Sequence, residues 1–494
     1  MKKDTLLLII AVIIMMTACG EESNKVSSYV RENGTGDGSS WENAMGDLQK
    51  AIDAAGSDSE IWVAAGTYNP VRSAADGAKG NGGCKNAFVM QEGVHILGGF
   101  PPTGNPSKKE RDWEAYPTIL SGDLNKNNVL DDFGEDAYHV VIAVNITKHT
   151  TLHGFTISGG SATEKHDHMN VRGVEIFGNN GGGIYNANSR MTINNVTIIG
   201  NKAFGSGGGM YNDKNSCPTV TNATISNNFS RWNGGGIFNA NESKVILTNA
   251  IISENISRGS GGGVYNSLKS DSQFRDVAFI KNETSYQGSG MESFMSSPVL
   301  IRVVFRENKG SIGALLNSTS SSTTLINVTF DGNKGHYEDK GMSNYDSSPK
   351  IQQNVVTMAN NSESKEFECL YQHDNFDVRA TVSNGKVTLH FEKYDADKNE
   401  YKPKDEEPVT LSASCKAAFI GDSHPVLCCV LEDGGIETLD VSKAFTTGNF
   451  QASGRMSGFE NIVSVITGVQ ESQESYKLTG MYAIDKEGNK KEIK

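Results

Sequence analysis

A few groups of residues in this chain have the types and spacings that chemistry needs. His166 and His168 flank Asp167, and an H-x-H pair beside a carboxylate is a candidate transition-metal clasp, or else polar surface. Asp123, Asn125, Asn127 and Asp131 set oxygen ligands at alternating positions, as the first half of a calcium loop does. The twelfth position, where an EF-hand needs an acid, is Gly134, so the competing reading is a polar turn. Tyr185, Tyr211, Phe238 and Tyr265 recur at nearly constant spacing. Pointing outward, they would form an aromatic stripe for a sugar chain to stack on; the alternative is a ladder that stiffens the face or packs under a loop. Arg231 and Arg258 also recur in register, as candidate contacts for an anionic glycan or as partners of neighbouring carboxylates.

What positions these residues is a repeat. GGGIYN at Gly181 returns as GGGMYN at Gly207, GGGIFN at Gly234 and GGGVYN at Gly261, with spacings of 26, 27 and 27 residues. A second phrase keeps the same beat and ends on Asn201 (NVTIIGN), Asn228 (NATISNN), Asn255 (NAIISEN) and Asn282 (DVAFIKN). Self-similarity at a fixed period of this length predicts a stacked solenoid. One aligned column reads Val196, Ala223, Ala250, Val277, Val303 and Val328, and another, two residues on, reads Ile198, Ile225, Ile252, Phe279, Phe305 and Phe330. Period-two alternation that recurs in every coil predicts parallel strands stacked about 4.8 Å apart, with both columns facing inward. The Asn201 column is expected to close each strand in left-handed backbone with its amides bonded from coil to coil, and the Gly triplets to serve the opposite corner. Asn195, Asn222, Asn249, Asp276 and Asn327, just ahead of the apolar core, read as a second structural ladder.

Upstream the period blurs. Ser39 and Ser40 precede a helical pattern over Trp41 to Ala55, a candidate cap for the open end of the stack, and Glu60 to Ala65 alternates like a strand. The phrases GTY, GVHILGGF, RDWEAYPTILSGDLN, YHVV and LHGFTISGG resemble right-handed parallel β-helix, pectin-lyase-like surface lipoproteins of Bacteroidota. GGGIYN and the FIKN, FREN and FDGN phrases resemble the repeats of chlamydial polymorphic outer-membrane proteins. The resemblance covers roughly residues 28 to 360 and implies an all-β fold, a right-handed parallel β-helix. It implies little about activity, because lyases, hydrolases, adhesins and stalks share that fold.

The ruler set by the repeat exposes one insertion. Ile157 and Ile198 occupy equivalent core positions 41 residues apart where a coil needs 27, so the excess bulges out within 160 to 180. The residues between the core columns, Thr197, Thr224, Ile251, Ala278, Val304 and Thr329, include neither acid nor base. A lyase needs clustered acids with calcium and a basic residue, and a glycosidase needs paired carboxylates, so neither is visible in the regular coils. The early coils, with Asp123, Asp131, Asp132, Glu135 and His139, leave room for one.

Composition narrows the partners. The chain has 494 residues, 45 basic and 58 acidic, for a net charge of -13 that repels nucleic acid. Lys2 and Lys3, an apolar run from Leu6 to Met16, and Thr17-Ala18-Cys19 resemble a bacterial lipoprotein signal. That resemblance implies that Cys19 carries lipid in the outer membrane, and Glu21-Glu22 implies surface exposure. The other cysteines, Cys84, Cys217, Cys369, Cys415, Cys428 and Cys429, leave disulfide pairing open and form no CxxC zinc spacing.

The domains are thus expected to be a signal peptide at 1–18, a tether at 19–28, a β-helix at 29–361 and a small β-sandwich-like domain at 366–494. Within the β-helix fall a cap at 29–70, irregular coils at 71–160, the insertion at 160–180 and regular coils at 181–361. The expected function is a lipid-anchored adhesive or glycan-binding scaffold whose partner is a glycan or a host or cell-surface protein, with no required cofactor and calcium the candidate ion. The alternative is a polysaccharide lyase or glycoside hydrolase with its site on the early coils or the insertion. Replacing Cys19 by Ala is expected to abolish palmitate labelling and move the chain out of the membrane fraction, which metabolic labelling and detergent phase partition would measure.

Overall fold

A computed structural model describes residues 25–127, 135–147, 149–164, 167–335, 341–351 and 355–358, and beyond them mainly the strands lying between 367 and 493. Cys19, Asp131 and His166 lie outside the described residues. The chain is a right-handed parallel β-helix followed by antiparallel strands. Each regular coil contributes a strand of three or four residues such as Ile184–Ala187, an eight-residue strand such as Thr192–Ile199 and, in most coils, a two-residue strand such as Lys202–Ala203. Like strands pair in parallel without slippage, so Val196 meets Ala223 and Ala223 meets Ala250.

The inward columns do what their pattern requires. Ile198, Ile225, Ile252, Phe279 and Phe305 are fully buried, and Phe279, Phe305 and Phe330 stack at 4.6 and 5.0 Å. The Asn201 column is buried too, but the sequence-based expectation about its backbone needs correction. The left-handed residue at that corner is the one before it, namely Gly200, Asn227, Glu254, Lys281 and Glu307. The buried Asn instead serves as a hydrogen-bond hub. Asn255 Oδ1 accepts both the backbone N–H and the Nδ2–H of Asn228 at 3.0 Å, and its own Nδ2 donates to the Ile225 carbonyl at 2.8 Å. A corner placed inside a stack has no water to satisfy its peptide groups, and the amide takes water's place.

At the opposite corner the middle glycine of each triplet is sterically obligatory. A Cβ on Gly235 would lie 2.5 Å from the Gly262 carbonyl oxygen and 2.6 Å from that of Ile256. A second buried ladder, Asn186, Asn212, Asn239 and Asn266, links that side with Nδ2 to Oδ1 bonds of 2.7, 2.7 and 2.9 Å.

The N-terminal helix is shorter than the pattern predicts, spanning Leu48–Ala54, with Asp47 capping it by accepting from Lys50 N–H. Trp41 is held out of it by a cluster with Tyr29, Trp62 and Phe100 and by its indole N–H donating to the Pro106 carbonyl at 2.8 Å. From the helix, Gln49 accepts the Val89 N–H at 2.7 Å and donates to the Val89 carbonyl at 3.1 Å. Phe88–Val89 is the terminal strand of the nine-stranded sheet, so this amide supplies the pairing that the edge otherwise lacks. At the other end, Val355–Met358 pairs antiparallel with Phe367–His373, which begins a run of antiparallel strands that continues the same sheet.

The insertion is a hairpin of His168–Val171 and Val174–Phe177, turned through Arg172 and Gly173, both at positive φ. Both turn N–H groups donate to the Asp76 carboxylate at 2.7 Å, and Met169, Val171 and Ile176 are buried against Ile142, Val144 and Tyr185. Asn255→Ala is expected to strand two buried donors and one acceptor and to cost about 3 kcal/mol, which would be read as a lower denaturant midpoint on chemical unfolding.

Candidate functional site

The eight-residue strands do not run straight. Pairing registers Asn194 with Thr221 and Val196 with Ala223 and skips Asn195 and Asn222 between them. The skipped residues Asn195, Asn222, Asn249, Asp276, Arg302 and Asn327 all sit near φ +50°, at values of 51, 52, 51, 55, 53 and 54°. Asn and Asp tolerate this conformation because a short polar side chain supports it locally. Each strand therefore bends once, at the same place in every coil, and the stacked bends form a groove along the axis with a volume of about 980 Å³. Asn195, Asn222, Asn249 and Asp276 of the column read as a second ladder line this groove together with Thr197, Thr224, Ile251, Ala278 and Val304.

The amides along the bend are linked, with Asn249 Nδ2 donating to Asn222 Oδ1 at 2.7 Å and Asn222 Nδ2 to Asn194 Oδ1 at 3.3 Å. In the preceding coil Gly154 takes the bend, at φ +80°. Its missing side chain leaves room for a loop to fold back, and a Cβ there would lie 3.3 Å from Trp113 Cβ and 3.2 Å from Arg111 Nη2. Trp113, 37% exposed, thereby walls one end of the groove.

Behind Trp113 lies a part-buried polar relay. Arg111 donates from Nε to the Gly98 carbonyl and from Nη2 to His153 Nδ1, both at 2.8 Å. Burial, and then the adjacent guanidinium, push the His153 imidazole down to about 4, and burial pushes Arg111 down to about 10. His153 is therefore neutral near pH 7, and since Nδ1 accepts, its proton sits on Nε2. The Asn195 amide, 3.0 Å from Nε2, must turn its oxygen to the ring.

At the far end Asp276 accepts from Arg302 Nε and Nη2, each at 2.7 Å, and Arg306 Nε donates to Asp331 at 2.9 Å. The groove thus offers amides, hydroxyls and an indole, while its arginines are already paired with carboxylates. His153 is buffered inside the wall and Asp276 is committed to Arg302, so neither is poised as an acid or base.

The residues singled out from sequence are dispersed. Asp123 Oδ1 and Asn125 Oδ1 both lie 3.2 Å from Asn127 N–H, and Asn125 Nδ2 donates to Glu135 at 2.6 Å, so these side chains close a polar turn. Asp167 pairs with Lys85 at 2.7 Å and accepts from the Tyr138 hydroxyl at 3.1 Å, whereas His168 stands on the hairpin 3.8 Å from Glu175. Among the described residues no three His, Cys, Asp or Glu side chains gather to hold a metal ion.

The aromatic stripe requires correction as a glycan platform. Tyr185 is fully buried beneath the hairpin. Tyr211, Phe238 and Tyr265 stack on one another at 5.4 and 5.3 Å with interplanar angles of 6 and 2°. Their faces meet along the axis, which leaves only edges for a sugar. Arg231 and Arg258 lie over Phe204 and Phe229, at 4.4 and 5.7 Å, away from the bend groove.

No protein-family model and no curated protein matches this chain. Among solved structures it is similar to pectate lyase Pel9A, at 13% identity over 66% of this chain and 78% of that one, with a TM-score of 0.32. It is similar also to Escherichia coli YbhC, at 12% identity over 66% and 85%, with a TM-score of 0.25. At these scores neither likeness bears on chemistry, and the β-helix is evident from its own strand register.

Trp113, Arg111, His153, Arg302 and Arg306 were not legible as site residues from sequence. The one available signal was Arg302, which breaks the Asn/Asp column in IRVVFREN. A further departure closes the aromatic stripe, where Glu292 follows Tyr265 in register. It is 5% exposed, accepts from the Ser318 hydroxyl at 3.1 Å, and burial pushes its carboxyl up to about 7. A carboxyl raised in the native state is a stabilising feature below its ordinary 4.5, and that stability is lost as pH rises from 4.5 through about 7. Glu292→Gln cannot ionise, so relative to the parent it is expected to gain up to about 3 kcal/mol across that window, measured by denaturant unfolding at its two ends.

Proposed function

We propose that this chain is a lipid-anchored, surface-exposed scaffold that binds a glycan chain in the bend groove. The observation that carries this reading is the groove's direction and lining together. It runs along the stack axis and repeats a side-chain amide at each coil from Asn195 to Asn249, with the Trp113 indole at one end. An extended polymer that meets the same groups once per coil matches a site that repeats with the coil. A partly exposed indole gives a sugar ring an apolar surface, and amides complement its hydroxyls.

Binding is favoured over turnover because the groove's acidic and basic side chains are mostly held by one another. The competing reading, a carbohydrate-active enzyme, has one observation in its favour: Lys85, Asp167 and Tyr138 meet at the base of the insertion. A lyase acting there would use Lys85 as base beside a carboxylate.

Affinity electrophoresis of the full chain in detergent, through gels holding a panel of polysaccharides, tests the first reading. An assay for reducing ends and unsaturated products run in parallel tests the second. Retardation without turnover is expected, and Trp113→Ala is expected to weaken it about tenfold. Turnover of any glycan, abolished by Lys85→Ala, would replace the scaffold reading with the enzyme.

A further inference from the structure

On the reading that the bend groove holds a glycan, we infer that its ligand is a neutral polysaccharide and that polyuronates are excluded. A polyuronate brings a carboxylate with each ring, and a site that holds it needs unpaired cations or a bridging metal ion. The groove's arginines are paired with carboxylates, and among the described residues no three His, Cys, Asp or Glu side chains gather to hold a bridging metal. Arg302 spends both Nε and Nη2 on Asp276 at 2.7 Å, with its side chain only 11% exposed. Arg306 is turned to Asp331 at 2.9 Å. Arg111 is drawn into the wall by the Gly98 carbonyl and His153. Glu114 adds a carboxylate at the rim, and the chain as a whole carries a net charge of -13.

What the groove leaves open is neutral and two-sided. A side-chain amide has two N–H donors and two acceptor lone pairs. Within the ladder Asn222 uses one N–H toward Asn194 and one lone pair toward Asn249, and so keeps one of each for a ligand. A hydroxyl is also donor and acceptor at once, and a sugar ring presents several. A peptide fits less well, because an extended chain advances about 3.3 Å per residue against about 4.8 Å between stacked strands. Its polar groups would fall out of step with the amides within a few coils, whereas a pyranose ring advances its chain by about one strand spacing.

The test compares full chain in detergent by affinity electrophoresis through gels containing a neutral glucan, mannan or arabinoxylan and through gels containing polygalacturonate or alginate, each at low and high salt. Retardation by a neutral polymer, indifferent to salt, is expected, with none by the polyuronates. Asp276→Asn supplies a gain-of-function arm. Asn occupies this left-handed position in neighbouring coils, so the fold is retained while Arg302 is released. That variant is expected to acquire salt-sensitive retardation on polygalacturonate, where the parent shows none.

Polyuronate binding by the parent chain would overturn the neutral selectivity and leave glycan binding standing. Absence of gain in Asp276→Asn would overturn the ion pair as the source of exclusion. If no polysaccharide of either class retards the parent, both this inference and the glycan-binding reading fall, and saturable binding of an extended peptide there would do the same.

Discussion

The structure depends on satisfying peptide groups at corners that water cannot reach. A parallel β-helix turns its chain several times per coil, and each turn leaves N–H and C=O groups that no strand ladder serves. Here the buried Asn201 column meets that demand. Each amide accepts two donors from the coil before it and returns a donor to a strand carbonyl, as Asn228, Asn255, Asn282 and Asn308 all do. Because the hub works only when the same residue recurs at the same place, it enforces the period, and the apolar columns can then stack like on like. The triple-glycine corner answers the same demand by close backbone approach.

The groove is a by-product of another corner. The bend at Asn195, Asn222 and Asn249 lies on the outside of the coil, so these side chains face outward instead of into the core. A residue chosen for its tolerance of left-handed backbone thus also presents an amide outward in three successive coils, at Asn195, Asn222 and Asn249. Where the bend residue is Gly154, the vacated space admits Trp113 and Arg111 from an irregular loop, and where it is Asp276 followed by Arg302, the ladder ends in an ion pair. Backbone geometry and surface chemistry are set by the same positions, so a regular scaffold can carry a site without interrupting its core.

Stacking also removes surfaces that look functional when read one coil at a time. Tyr211, Phe238 and Tyr265 lie face to face, and the hairpin seals Tyr185. Arg231 and Arg258, though exposed, lie over aromatic rings. Asp167, central to the H-x-H pattern, is turned to Lys85 and Tyr138 and ties the insertion to its base.

By itself the sequence determined the solenoid, its period, the two inward columns, the glycine corner and the place of the insertion. Each of these rests on repetition, and repetition is visible in one dimension because like positions must meet like. The tertiary structure decided which Asn column bends the chain. Two columns of the same residue type, six positions apart, look alike in sequence, and only one is buried in the stack while the other turns left-handed. It also decided the site, for a matching physical reason. Trp113 and Arg302 come from an irregular loop and a late coil, with His153 of an early coil behind Trp113, and they meet along one groove only because the stack lays those coils along one axis. The residues that looked most like chemistry were repeated because the core and corners need them. Those that line the groove's ends occur once each, where the repeat is broken.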